Sequence, residues 1–277
     1  APRRVEERPV MSPVRKVLIP AAGMGTRIQP LAFSKELLPV GSRLDNGIER
    51  PRAVSEYLID RMLKAGATKL CFVISPWKSD IIQYFGNRIG PANTCYTVQS
   101  PPAGLCDALF QALPLIAPHE QILVGLPDTI WFPEDALTHL PDNQLSFLLF
   151  PVTHPEFFDA VVLQPNTGTE IQHIQVKSPE ATTPWVWGAF KLTGAILADL
   201  HQLWQQRQKQ DEYLGTLVNA WLAQGNTAHG IRAGEQYVDV GTLHGYREAL
   251  SLLQQQPTQP HTGAITSWNP SNRNLIA

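Results

Sequence analysis

Val17-Leu18-Ile19-Pro20-Ala21-Ala22-Gly23-Met24-Gly25-Thr26-Arg27, continued through Lys35 to Leu37-Leu38-Pro39-Val40, is the stretch that decides how this chain folds. The unbroken apolar run over 16–21 predicts a strand buried on both faces, as in the interior of a parallel sheet. It ends in small residues, where glycines let the main chain approach an anion and turn N–H groups toward it. Arg27 and Lys35 set two cations close behind, at a fixed reach from those amides. The segment reads as a place to hold a phosphate, although a bare Gly-x-Gly is also an ordinary turn. Ile28 stands where a dinucleotide-binding loop needs its third small residue, and no Gly-Lys-Ser/Thr follows, so neither of those phosphate loops applies.

Outward from this turn, helical and strand patterns alternate. Residues 52–65 predict a helix started by Pro51 and ended by Gly66; residues 69–75 a second buried strand; 79–85 a short helix; 94–99 a strand; 104–116 a helix; 121–126 a fourth strand. That order predicts an α/β fold, a three-layer Rossmann-like sandwich with a mixed, mainly parallel sheet. The polar segment 41–52 reads as a loop. Beyond it, strand patterns at 145–151, 160–164, 171–177 and 185–192 come without long helices between them, predicting an antiparallel or mixed extension of the same sheet. Helices are expected at 195–206, 212–223 and 243–254, with a short strand at 227–231. With no internal repeat and no evident linker, 15–254 reads as a single domain. Residues 1–14, rich in Arg, Glu and Pro, read as a flexible leader containing a candidate start at Met11, and 255–277 as an irregular tail.

The whole chain has 277 residues, 43% hydrophobic and 17% charged, with net charge −2 and a pI near 6.5. That balance argues against a nucleic-acid partner, which favours a basic excess. Cys71, Cys95 and Cys106 form no close sequence pair, which fits neither a disulfide framework nor a structural zinc site and suits a reducing cytoplasm. No apolar run is long enough to predict a membrane helix.

Gly23, Gly25, Thr26, Arg27, Pro30, Lys35, Leu37, Leu38, Pro39 and Val40 together resemble the signature of the sugar-1-phosphate nucleotidylyltransferases, especially the glucose-1-phosphate thymidylyltransferase and UTP–glucose-1-phosphate uridylyltransferase group. Ser34 stands where a Pro often precedes the Lys. The resemblance implies that Ala22, Gly23, Gly25 and Thr26 wrap a triphosphate, that Arg27 stabilises leaving pyrophosphate, and that Lys35 contacts phosphate oxygens. It also implies a nucleotide-binding half at 15–140 and a sugar-phosphate half at 141–254.

Further stretches extend the likeness. The segment 99–105 resembles the family's base-binding loop, which assigns Gln99 and the Gly104 backbone to a pyrimidine; a Gln amide can donate to O4 and accept from N3–H. Asp128, in Leu126-Pro127-Asp128-Thr129, follows a parallel strand at the edge where open α/β sheets place ligands. Asp239 opens Asp-Val-Gly-Thr. Each is by itself a good cap or turn residue; by resemblance the two are Mg²⁺ ligands. Lys177 matches a lysine that contacts the sugar phosphate or the α-phosphate, but Val176 replaces the Glu that in the family helps hold sugar hydroxyls. Gly188 matches a glycine under the hexose. Its neighbours Trp185 and Trp187 either stack on an acceptor or pack in the core. The eight histidines are dispersed, and no covalent nucleophile motif occurs.

The function implied is Mg²⁺-dependent transfer of a nucleotidyl group from dTTP or UTP to a sugar 1-phosphate. Two alternatives stay open: CTP or a non-glucose or phosphonate acceptor on the same fold, and a non-catalytic regulator that binds sugar nucleotides. The partners implied are the triphosphate and the sugar phosphate, with no membrane; homo-oligomerisation is left open.

Overall fold

The computed structural model describes residues 15–254; the leader expected at 1–14 and the tail expected at 255–277 lie outside the described residues. In chain order the strands are β1 (Arg15–Pro20), β2 (Pro39–Asp45), β3 (Ile48–Ala53), β4 (Lys69–Ile74), β5 (Arg88–Ile89), β6 (Ala92–Val98), β7 (Gln121–Gly125), β8 (Thr129–Phe132), β9 (Leu145–Pro151), β10 (Asp159–Leu163), β11 (Ile171–Val176), β12 (Trp185–Thr193), β13 (Ala228–Ile231) and β14 (Gln236–Asp239). The helices are α1 (Val54–Lys64), α2 (Ser79–Phe85), α3 (Gly104–Gln111), α4 (Gly194–Gln206), α5 (Leu214–Ala223) and α6 (Leu243–Gln254).

The run over 16–21 is the middle of the main sheet. β1 lies parallel between β4 and β7, with Leu18 opposite Cys71 on one side and Val124 on the other. The full order is β11-β10-β12-β7-β1-β4-β6-β5, with β9 beside β12 and β13 beside β9. The strands β7, β1, β4 and β6 run parallel, whereas β12 joins β7 antiparallel and carries the sheet into the second half. The mixed, mainly parallel sheet and its antiparallel extension are therefore both present.

Because side chains alternate along a strand, β1 feeds two cores. Val17 and Ile19 join Phe72, Leu123 and the faces of α1 and α2 through Leu58, Met62, Ile81 and Phe85. Leu18 joins Val73, Val124, Phe147 and helices α3, α4 and α5 through Leu109, Leu200 and Leu217. Each such side chain, fully buried, contributes about 1.5–3 kcal/mol. Gly125 has no room for more: a Cβ there would come within 2.5 Å of Leu58 Cδ1.

Three expectations need correction. The supposed loop at 41–52 is the β2–β3 hairpin, with Asp45 opposite Ile48. Asn46 and Gly47 both have positive φ, 50° and 79°, which is the Asn-Gly turn that suits tight hairpins. Pro51 and Arg52 accordingly belong to β3, and α1 begins at Val54. The helix expected over 104–116 stops at Gln111, and a separate tight turn spans Leu113–Leu115; Pro114 has no N–H with which to continue the ladder.

A smaller ribbon matters most for the site. β14 pairs antiparallel with β8, and Asp239 lies opposite Thr129. Beneath it Val40, Val54, Tyr57, Ile130, Val238, Val240 and Ala249 form a third apolar cluster, which seats α6 against the hairpin.

Candidate active site

The Gly-rich turn leaves β1 at the C-terminal edge of the parallel strands and is held from behind. Ala21 N–H donates to Val73 O at 2.7 Å, and Lys78 Nζ donates to Ala21 O at 2.8 Å. Lys78 also reaches both oxygens of Glu36 at 2.9 Å. Glu36 is 1% exposed; burial drives its carboxyl above the usual range even though the Lys78 and Lys35 charges pull it down. One residue before Lys35, Ser34 donates through N–H and Oγ to the two oxygens of Asp80, at 2.7 and 2.6 Å. The tight helical turn Lys35–Leu37 is thus clamped on both flanks, so Lys35 projects from a fixed base.

Gly25 makes room for that projection. Its φ is +64°, and a Cβ would lie 2.8 Å from Lys35 Cδ. The Lys35 ammonium ends 2.5 Å from Asp128 Oδ2. Burial alone would lower the Lys35 pKa, but the Asp128 charge beside it leaves it raised. Burial would likewise lift Asp128, yet Lys35 holds its carboxyl below the usual value. Both groups stay charged as a pair.

Asp239 is brought alongside by the β8–β14 ribbon, reinforced by Val240 N–H donating to Asp128 O at 2.8 Å. Its Oδ2 takes a bond from Arg27 Nη1 at 3.0 Å, and its Oδ1 accepts from Gly241 N–H at 2.8 Å. A Cβ on Gly241 would fall 2.9 Å from Asp128 Oδ2, 2.8 Å from Asp239 Oδ1 and 3.1 Å from Arg27 Nη2. The side chains of the two acidic motifs and of the first basic motif therefore surround one small space.

Arg27, Lys35, Asp128 and Asp239 themselves line a cavity of about 1460 Å³ walled by both halves of the chain. Of the residues singled out in the sequence, Ala22, Gly23, Arg27, Lys35, Gln99, Gly104, Asp128, Lys177 and Asp239 line it. Gly25, Thr26 and Gly188 are not part of the wall. Gly188 instead leaves space for rings, since a Cβ would meet Tyr237 Cε2 at 2.5 Å and Phe150 Cε2 at 2.7 Å. Trp185 stands apart under the Arg232 guanidinium, 5.1 Å from its ring centre, whereas buried Trp187 forms part of the wall.

Gln99 is almost fully buried, and its Nε2 already donates to Gly104 O at 3.1 Å and Asp107 Oδ2 at 2.7 Å. Gly104 has φ +87°, and a Cβ there would come within 3.0 Å of Glu212 O. Lys177, also in the wall, adopts φ +43°, with its N–H donating to Phe158 O at 2.9 Å. Its ammonium sits 4.3 Å from the Tyr213 ring centre, a favourable cation–π distance.

Sequence reasoning passed over Lys78, Asp159 and Tyr213. Lys78 follows β4 at the same sheet edge as Asp128, which is the signal that was available. Asp159 opens the apolar strand β10, where a charge is out of keeping with its neighbours. Among the described residues no group of three or more His, Cys, Asp or Glu side chains forms a metal cage, and no helix is long and apolar enough to cross a membrane.

Comparison with known proteins bears on the family and the fold. The family model described as nucleotidyl transferase matches residues 16–256. UTP–glucose-1-phosphate uridylyltransferase 2 of Streptococcus pyogenes serotype M3 is 28% identical over 143 residues, 43% of this chain. The match spans 44% of that relative's own length. Among solved structures, a UTP-bound UGPase from Acinetobacter baumannii superposes with TM-score 0.71 at 22% identity, covering 88% of this chain and 95% of that one. A Bacillus anthracis protein described as a candidate glucose-1-phosphate thymidylyltransferase gives TM-score 0.72 at 20% identity, over 89% and 98% of the two chains. At these identities the solved structures establish a shared fold.

Proposed function

The chain belongs to the nucleotidyl transferase family, and on that premise we propose that it joins a sugar 1-phosphate to dTTP or UTP, releasing pyrophosphate. The observation that carries this reading is the convergence at Gly241. Two carboxylates, each ion-paired to a cation from the Gly-rich segment, line one cavity together with Lys177.

In the reaction, a phosphate oxygen of the sugar 1-phosphate attacks the α-phosphorus of the triphosphate. A new P–O bond forms as the bond from the α-phosphorus to the α–β bridging oxygen breaks, and the electron pair leaves with pyrophosphate. Gly23 lines the cavity, and nothing comes within 4 Å of a Cβ built on it, which leaves its main chain open to a triphosphate. Arg27 and Lys35 are the cations placed to meet charge growing on the leaving group, an effect strongest where it is pre-organised and shielded from water. Lys177, which lines the same cavity, would take the acceptor phosphate, so that both reactants are held for in-line attack.

A divalent ion fits this arrangement. Asp128 and Asp239 supply two oxygens to the space at Gly241, and Mg²⁺ is commonly held by one or two carboxylates with the remaining positions left to substrate phosphates and water. When bound there, it would supply charge neutralisation to the phosphate oxygens.

For the base, the Gln99 amide nitrogen is occupied, leaving Oε1 as the acceptor end. That oxygen can take N3–H of uracil or thymine, and equally the N4 amino group of cytosine, which favours keeping CTP as a second reading. The test is pyrophosphate release by the purified chain with Mg²⁺, across dTTP, UTP and CTP against a panel of sugar 1-phosphates and an aminoalkylphosphonate. Release with a uridine or thymidine triphosphate and a sugar phosphate is expected. Release with CTP alone would select the second reading, and no release from any pair would overturn the enzyme reading in favour of a binding role.

A further inference from the structure

We propose that Asp159 selects the acceptor, binding a neutral hydroxyl of the sugar phosphate through its carboxylate; this rests on the sugar-phosphate reading above. Asp159 begins β10 and is 9% exposed. It lies in the cavity wall together with Lys177, Trp187 and Tyr213. Its strand pairs antiparallel with β11, where Asp159 stands opposite Val176, the residue immediately before Lys177. The chain therefore carries a carboxylate one strand away from the position at which the sequence shows an apolar side chain.

The surroundings of Asp159 are those of a ligand-binding acid rather than a structural one. Trp187 Nε1–H donates to Oδ2 at 3.3 Å, a long bond. The Gly215 N–H also faces the carboxylate, and a Cβ on Gly215 would lie 2.9 Å from the same Oδ2. Among the described residues it makes no ion pair: Lys177 is the cation whose charge acts on it, but that ammonium rests over Tyr213. An ionised carboxylate offers about four acceptor positions; these two donors leave others open, and Asp159 lines the cavity. Buried polar atoms are ordinarily satisfied, and a ligand hydroxyl is the group that would complete the set.

The position also says what the acceptor is not. An acceptor with a carboxylate at this point would place like charge against a buried acid. A sugar ring with a hydroxyl there donates to Asp159 while its phosphate lies toward Lys177, and the Trp187 indole forms an apolar edge beside it. The chemical class selected is a neutral, hydroxyl-bearing sugar phosphate rather than a uronic acid phosphate.

The experiment uses the full chain with Mg²⁺ and the acceptor giving most pyrophosphate, and compares wild type with Asp159→Asn, which keeps an oxygen for Trp187 but removes the charge. The acceptor KM is expected to rise about tenfold or more, with the triphosphate KM within twofold and an unchanged melting temperature. Mono-deoxy versions of the acceptor, assayed on wild type, supply a second measurement independent of how the variant folds. One of them is expected to lose at least as much, and the Asn variant to be indifferent to that same deoxygenation. A uronic acid 1-phosphate is expected to be a poor acceptor for wild type and to gain relative to the neutral sugar in the variant. If wild type is active but neither the variant nor any deoxy acceptor changes the acceptor KM, this assignment falls and the enzyme reading stands. If wild type releases no pyrophosphate from any pair, both fall together.

Discussion

Asp128 and Asp239 direct one carboxylate oxygen each at a single point, lying 2.9 and 2.8 Å from where a Cβ on Gly241 would sit. Gly241 is not forced into a left-handed conformation, so its small size matters here for the space and not for the backbone. Gly241→Ala would fill the cradle with a methyl group against both carboxylates and against Arg27. The fold is expected to survive with a modest fall in melting temperature, since both ion-paired carboxylates must shift. Turnover is expected to fall by about two orders of magnitude, as when one pre-organised charge-stabilising group is lost, and Mn²⁺ affinity measured by electron paramagnetic resonance should weaken. An Ala variant with wild-type turnover would mean that the two carboxylates do not act through that space.

The two glycines of the opening turn do different work, and substitution separates them. Gly25 has φ +64° and a Lys35 methylene 2.8 Å from any Cβ, whereas Gly23 has no atom within 4 Å of one. Gly25→Ala is expected to cost about 1–2 kcal/mol from backbone strain, a fall in melting temperature of roughly 2–8 °C for a chain of this size. It should also lower kcat, because Lys35 must move. Gly23→Ala is expected to leave the melting temperature unchanged and to raise the triphosphate KM alone. Thermal melts and steady-state kinetics on the pair decide it.

What the sequence made legible follows from how local each signal is. The continuous apolar run Val17-Leu18-Ile19 predicts a strand buried on two faces, and it lies between β4 and β7. Arg27, Lys35, Asp128 and Asp239 were singled out through short motifs that resemble a family signature, and the fold brings their side chains together. The β2–β3 hairpin was missed because its side chains are mostly exposed or half-buried and show no hydrophobic alternation, although Asn46-Gly47 between Asp45 and Ile48 is a strong turn signal. Lys78 and Asp159 carried only weak positional signals, a sheet edge and a charge in an apolar strand. Each gains meaning only through a contact across 42 or 28 residues, to Glu36 and Trp187 respectively, and neither carries a motif of its own.

Acid should act on the site through Asp128. Its folded pKa lies below the ordinary 3.8: burial pushes it up, but the charge and hydrogen bond of Lys35, a backbone N–H and the Arg27 charge together outweigh burial. A carboxylate with a depressed folded pKa contributes stability that is fully present above its unfolded value and is lost as pH falls through the lower folded one. Lys35, raised above 10.5 by Asp128 against the effect of burial, contributes stability below its unfolded value that is lost as pH rises through the folded one. Between these limits the pair's contribution should be flat. Asp128→Asn is expected to remove the wild-type loss of stability below about pH 4 that belongs to this group, and to weaken the alkaline loss due to Lys35. Urea unfolding as a function of pH in both proteins measures it; parallel profiles would show that the pair is not coupled to folding.

The buried Lys78–Glu36 pair holds the base of Lys35, and its two members should prove unequal to remove singly and together. Lys78→Met leaves Glu36, 1% exposed, without its 2.9 Å partner, and stranding a buried charge costs about 3–5 kcal/mol. Lys78→Met with Glu36→Leu replaces both charges by apolar groups, a change often near neutral, so much of the stability should return. Turnover should not return with it, because Ala21 O has lost its donor and the Gly-rich turn is no longer tied to the Lys35 segment. The single variant should also respond to pH. Burial raises the Glu36 carboxyl even in the wild type, where Lys78 opposes it, and without Lys78 the value rises further. A raised folded pKa gives stability that is present at low pH and lost as pH rises through that value. Lys78→Met is therefore expected to lie closest to wild type in mildly acid urea melts and to diverge from it toward neutral pH, while the double variant keeps a constant offset. A constant offset in the single variant would show that Glu36 is not the stranded charge.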